Sequence, residues 1–301
     1  MIQLTKEEQD ILDGREGRLR QTALENIVRY AQVLGAEKLC KVTKATVFCG
    51  NHNYLNVCEC GDFHDVFTRM NLARDERIVF DSVDKDCYVQ SCVAASDQFD
   101  YEIFDQPKEE FDKNSYYLEE SRKAGVTIAG SCSPYLMGWL PVRGEHFVTT
   151  ESGVTIIGNS IWGACCNADG IEAAFWSAIC GRTPYWGYHV KENRYGTHLI
   201  HVDAALDSPL EWEVLGKAMA DLNGYTKIIE DAGGTIQTST CPVTIGDCFL
   251  KHYKGQAYDS LKQSGSVRSD GCAERVYYTD KYRCMDAAVS GVWKEEYRWK
   301  K

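Results

Sequence analysis

The sequence predicts an α/β protein. Three observations carry that prediction: short β-rich runs that end in glycine or polar residues, helical periodicity in the segments that follow them, and a 301-residue chain that is 44% hydrophobic and so long enough to bury a large core. Strands that feed helices in this way build layers whose ligands gather at the strand carboxyl ends.

The elements follow in order. Thr5 with Glu8 three positions later has the pattern of a capping box. Apolar residues Ile11, Leu12, Leu19, Leu24, Ile27, Val28, Ala31 and Leu34 then recur at helical spacing, broken at Gly14 and Gly17, so a short helix and a longer one are expected. KVTKATVFCG (41–50), RIVFDSV (77–83) and GVTIAGS (125–131) read as strands, and the charged stretch 104–125 reads as a loop plus an exposed helix. Residues 145–161 are strand-like, 169–181 form a helix closed by Gly181 at its C-cap, and THLIHVDA (197–204) is another strand. A helix over 211–224, a helix-to-strand step over 227–240 and a last strand and helix over 275–291 complete the chain. The length suits one large or two moderate domains, divided as 1–130 (helical and α/β) and 131–301 (α/β, catalytic), or one continuous unit.

Composition excludes some functions. Lysine and arginine total 33 against 44 acidic residues, a formal net charge of −11, which disfavours a phosphate-backbone partner; no nucleic acid is expected. No apolar run reaches membrane-spanning length, and the first residues lack a basic-then-apolar leader, so no membrane and a cytoplasmic location are expected. Fourteen cysteines are many for such a chain. Reduced thiols are expected there, most of them buried, with an excess that raises the prospect of iron–sulfur or soft-metal ligation. The run VCECGDFH offers Cys58, Cys60 and His64, but falls short of the paired spacing of zinc sites.

Three blocks, SCSPYLMGWLPVRGEH (131–146), ESGVTIIGNSIWGACCNADG (151–170) and GRTPYWGYHVKENR (181–194), resemble in order and spacing those of the large catalytic subunit of the aconitase X family. The opening LTKEEQDILDGREG and GAEKL, and the closing TSTCPV, SGSV and CMDAAVSGVW, are similar to that family too. The resemblance implies an aconitase-like layered α/β/α architecture with mixed or parallel sheets flanked by helices. It also implies a hydro-lyase that removes water from a small hydroxy carboxylate, using an iron–sulfur cluster (4Fe–4S or 2Fe–2S) as Lewis acid. Family members act on hydroxyproline or phosphomevalonate and pair with a small swivelling-domain subunit, a partner this chain would share.

By the same resemblance, Cys132, Cys241 and Cys284 are candidate metal ligands, with core packing the alternative for Cys284. His52, Ser152 and His189 are candidate catalytic residues. Arg143, Glu151, Asn159, Ser160, Asn167, Arg182 and Arg194 are candidates for substrate binding, against a helix cap or Asx turn for the polar ones and a structural ion pair for an arginine. The chain departs from the family pattern in lacking a Gly-Cys-Pro-His block and in carrying Cys165, Cys166, Asn167, Ala168, Asp169 and Gly170 where relatives place arginine-bearing residues. Two other readings therefore stay open: a non-catalytic binding subunit, and a metal-independent, cysteine-based isomerase or lyase.

Overall fold

The computed structural model describes residues 2–47, 61–84, 86–89, 108–129 and 133–196, positions 199, 201–203, 205–222 and 224–231, and the short pieces 255–258, 275–278, 283–284, 287 and 290–293. Helix α1 (Lys6–Leu12) starts at the capping box expected from sequence: Glu8 N donates to Thr5 Oγ1 at 3.3 Å, and Thr5 N donates to the Glu8 carboxylate at 2.8 Å. Gly14 and Gly17 have φ of 78° and 94°, a region glycine enters without a Cβ penalty, and there the chain turns into α2 (Arg18–Val33). That helix buries Leu24, Ile27 and Ala31, one turn apart on one face, against α6 (Ile171–Cys180). Every side chain of α6 is buried, and it ends where Gly181 adopts φ 67°, as its C-cap position required.

The central sheet is parallel. Strand β2 (Lys44–Val47) lies between β3 (Asp86–Val89) and β5 (Phe147–Thr149), and β4 (Thr127–Ile128) flanks β3, giving the order β4-β3-β2-β5. The sheet runs across residue 131, since β5 comes from beyond it. A second, antiparallel ribbon joins β1 (Leu39–Lys41) to β6 (Arg182–Pro184).

Alternation along the strands separates two cores. Ala45, Val47, Cys87 and Val148 face α2, α6 and α3 (Phe63–Met70), where Phe63, Phe67, Phe80 and Phe175 pack ring on ring, Phe67 and Phe80 stacked at 4.2 Å. Phe147 and Tyr88 face the other way, toward Trp139, Val154 and Cys166. A parallel sheet covered on both faces is the layered α/β/α arrangement expected.

Further along, α4 (Lys108–Lys123) leads into β4 and buries Tyr117; α7 (Pro209–Leu222) and α8 (Tyr225–Asp231) follow, and β7 (Gly255–Tyr258) pairs in parallel with β8 (Arg275–Tyr278). Among the described residues, no helix is long and apolar enough to cross a membrane.

Three local expectations are corrected. Residues 77–83 are extended, with Ile78 and Phe80 buried and Val79 exposed, but they join no ladder. Their amides are satisfied by α3 side chains: Ile78 N donates to Thr68 Oγ1 at 2.9 Å and Phe80 N to His64 Nδ1 at 3.1 Å. The strand-like stretch 145–161 divides into β5 and a helix, α5 (Ser152–Ser160). Its β-branched residues lower helix propensity, but Val154, Ile157, Gly158 and Ile161 fall at helical spacing, and burying Val154 and Gly158 on the sheet overrides propensity. The described positions of 197–204 form no strand.

Helix α5 sits on Phe147 at Gly158, where an added Cβ would come within 2.5 Å of the Phe147 ring. Gly158→Ala is expected to cost about 1–3 kcal/mol through overpacking. Urea unfolding monitored by tryptophan fluorescence checks this; a loss below about 0.5 kcal/mol would show that α5 is free to shift.

Candidate functional site

In an open parallel sheet the chemistry is expected at the strand carboxyl ends, and two of the sequence-derived candidates stand there. The chain leaves β5 through Thr150 into half-buried Glu151, the N-cap of α5, and exposed Ser152. Glu151 N donates to Thr149 Oγ1 at 3.0 Å, Thr149 Oγ1 shares a 2.6 Å hydrogen bond with Thr46 Oγ1, and Ser152 Oγ lies 3.4 Å from Glu151 Oε1. Among the described residues no side chain caps α5, which leaves its first amides as donors beside Ser152. Residues 165–168 run beside β5, bridged at His146 to Cys165 and at Thr149 to Ala168, and deliver Asp169, whose N donates to Thr149 O at 2.8 Å. Asp169 is fully buried, its Oδ2 has no hydrogen-bond partner among the described residues, and burial raises its pKa to about 8, against a smaller opposite pull from the Thr149 backbone.

At the opposite, amino end of β5 stands a different group. His146 directly precedes β5, and its Nδ1 lies 3.0 Å from Nδ1 of His189, in a 3-10 turn (Gly187–His189). Cys40 of β1 completes the set: one ligand atom from each of Cys40, His146 and His189 falls within 4.8 Å of the others. Burial, then His146 and Arg194, lower the His189 pKa to about 3, and burial raises that of the Cys40 thiol. His189, expected at a catalytic position, is 1% exposed and belongs to this group.

The other candidates serve mainly as scaffold in this conformation. Asn159 Nδ2 donates to the carbonyls of Thr155 and Cys166, both at 2.9 Å, and its Oδ1 accepts from Arg194, which also donates to Tyr188 O at 3.2 Å. Asn167 spans a loop, donating to Trp186 O at 3.3 Å and accepting from Tyr188 N at 2.8 Å. Ser160 Oγ donates back to Ile156 O at 2.6 Å, and exposed Arg143 packs its stem against Gly163.

The substrate-binding expectation for Arg182 is corrected. Its side chain is 2% exposed and paired with Glu8 at 3.1 Å and Glu7 at 2.8 Å, so it already holds two carboxylates and ties α1 to β6. Cys284 is helical and half-buried. His52, Cys132 and Cys241, with Cys58 and Cys60, lie outside the described residues. Sequence reading missed Cys40 and Asp169. Cys40 gave no signal because its partners come from distant segments, whereas the acid in CCNADG was visible but not its burial.

Among the described residues, the group that gathers three ligand atoms holds one thiol, so the thiolate set of an iron–sulfur cluster is not found in this part of the chain.

The fold and these two ends define an α/β protein of the layered kind, with a parallel sheet whose carboxyl edge carries polar and acidic side chains. The family model described as the aconitase X first domain matches residues 1–192, and the chain belongs to the aconitase X family. It is 30% identical over 223 residues to the phosphomevalonate dehydratase large subunit of Methanocaldococcus jannaschii, covering 74% of this chain and 51% of that protein. Against the protein of that name from Thermococcus kodakarensis it is 30% identical over 213 residues, covering 71% and 50%. A cis-3-hydroxy-L-proline dehydratase of Hypocrea jecorina matches at 29% over 143 residues, 48% of this chain and 22% of that one. The crystal structure of Thermococcus kodakaraensis aconitase X in its holo-form superposes with a TM-score of 0.56 at 22% identity, covering 92% of this chain and 61% of the other, which supports the fold. The chain spans about half the length of the phosphomevalonate dehydratase subunits it matches.

Proposed function

We propose that the chain is the large subunit of a hydro-lyase that dehydrates a small hydroxy carboxylate. The observation that carries this reading is family membership over residues 1–192, with Glu151 and Ser152 at the sheet's carboxyl edge where such chemistry is placed. The relatives named as dehydratases are large subunits or longer proteins, which supports a small-subunit partner here.

The open amides at the start of α5 suit a substrate carboxylate, and Ser152 Oγ beside them can donate to the same group. In this reading Glu151, half-buried at the N-cap of α5, takes the carbon-bound proton. Asp169 stays neutral below pH about 8 and so does not repel the substrate anion. An iron–sulfur cluster, held by Cys132 and Cys241 with Cys284 as third candidate, would supply a Lewis acid for the departing hydroxide.

Anaerobic purification with the small subunit, followed by iron and acid-labile sulfide assays, tests this. Stoichiometric iron and sulfide lost in both Cys132→Ala and Cys241→Ala, with dehydration of a hydroxy acid falling at least about 100-fold in Glu151→Gln, is the expected outcome. Folded protein with no iron or sulfide in any preparation would overturn it in favour of a metal-independent or non-catalytic role.

A further inference from the structure

We propose that Cys40, His146 and His189 form a zinc site at the amino end of β5, away from the carboxyl edge of the sheet. The three residues come from β1, from the residue before β5 and from the turn after β6, so three separately anchored pieces of backbone converge on one point.

The geometry is compatible with one ion shared by three ligands. With Zn–N near 2.0–2.1 Å, two imidazole nitrogens on zinc stand roughly 3.3 Å apart. The His146 and His189 Nδ1 atoms already lie 3.0 Å apart, so a small opening of the pair admits the ion. One thiolate with two imidazoles is a borderline-soft donor set, which selects zinc over magnesium or calcium.

The surroundings explain why an ion would be held. His189 is 1% exposed and its Nε2 has no hydrogen-bond partner among the described residues. An ion between the rings would exchange their Nδ1–Nδ1 hydrogen bond for two metal–nitrogen bonds. Cys40 Sγ has only a weak 3.7 Å contact to Thr183 O, too long to compete with a metal–thiolate bond. The opposing charge is Arg194, near both histidines; the Cys40 thiolate offsets it.

Zn²⁺ binds the Cys40 sulfur with release of the thiol proton to solvent, and both histidines enter neutral. Three protein ligands leave the fourth position for water. The site does not depend on the dehydratase reading: it takes no sulfide, and its ligands differ from Cys132, Cys241 and Cys284.

The test uses full-length protein stripped with chelator, then titrated with Zn²⁺ against a chromophoric competitor and, in parallel, with Co²⁺ followed optically. One equivalent should bind per chain, with a thiolate-to-cobalt charge-transfer band in the near ultraviolet. Cys40→Ala should remove that band and weaken Zn²⁺ binding by more than about 100-fold, His146→Asn should weaken it comparably, and Cys180→Ala, whose thiol is buried at the last residue of α6, should change neither. Acid-labile sulfide should be unchanged in all three. Should His189→Asn fail to fold, Cys40→Ala and His146→Asn still decide the matter. Folded protein that binds no Zn²⁺, or binding that survives in both Cys40→Ala and His146→Asn, overturns the proposal.

Discussion

Arg182→Ala is expected to lower folding stability by about 3–5 kcal/mol, the cost of leaving a buried carboxylate without its counter-charge. The side chain is 2% exposed and Glu8, its partner at 3.1 Å, is 4% exposed, so neither group can turn to water. Glu7, the second partner, is held near pKa 2 by hydrogen bonds from Lys41 and Arg182, but it is half in solvent and adds little to that cost. Since the cost is the orphaned charge, removing both charges should recover much of it. Arg182→Met with Glu8→Gln keeps the hydrogen bond that closes the α1 cap and is expected to be within about 2 kcal/mol of the wild type. Chemical denaturation of the wild type, Arg182→Ala and the double variant measures both quantities. A loss under about 1 kcal/mol in Arg182→Ala would mean that the pair is not sealed as described.

Asp169→Asn is expected to stabilise the protein at alkaline pH and to leave it nearly unchanged in acid. In the fold the carboxyl is held near pKa 8 by burial; unfolded, it ionises in the usual range near 4. Below pH 4 both states carry the proton and nothing is gained. From about pH 4 to 8 the unfolded chain has lost its proton while the fold still holds it, so each unit of rising pH costs the wild type about 1.4 kcal/mol. Above pH 8 the cost levels off. The difference between variant and wild type removes the contributions of all other titrating groups. It should climb with pH by up to about 5 kcal/mol, as read from urea midpoints at pH 4, 6 and 8. A difference that does not move with pH would show that Asp169 reaches solvent or an unseen donor.

Much of the fold was legible because its signals are local. Thr5 and Glu8 announce a helix start within four residues, and Gly181 announces a helix end. Residues 77–83 carry a true alternation, yet whether an extended run becomes a strand depends on who satisfies its amides, and here His64 and Thr68 do so from a helix. The helix over 152–160 was hidden by β-branched residues, although the spacing of Val154, Ile157 and Gly158 contained it. Resemblance and topology coincide at Glu151 and Ser152, which the fold brings to the end of β5. Arg182 shows the limit: an arginine in a glycine-rich block looks the same whether it awaits an anion or already holds Glu8, 174 positions earlier. Cys40 could not be found from sequence because its partners lie in two other segments far along the chain.

The parallel pairing at the centre of the sheet sets a clock on biosynthesis. Thr46 and Thr149 share a hydrogen bond across 103 positions, so β2 cannot complete its sheet until the ribosome has made β5. At about 5–20 residues per second that is a wait of roughly 5–20 s, during which one edge of β2, with Ala45 and Val47 behind it, has no neighbour. Long-range parallel pairing of this kind folds slowly and leaves a sticky edge exposed. Yield from rapid overexpression should therefore improve when translation is slowed or a chaperone shields that edge.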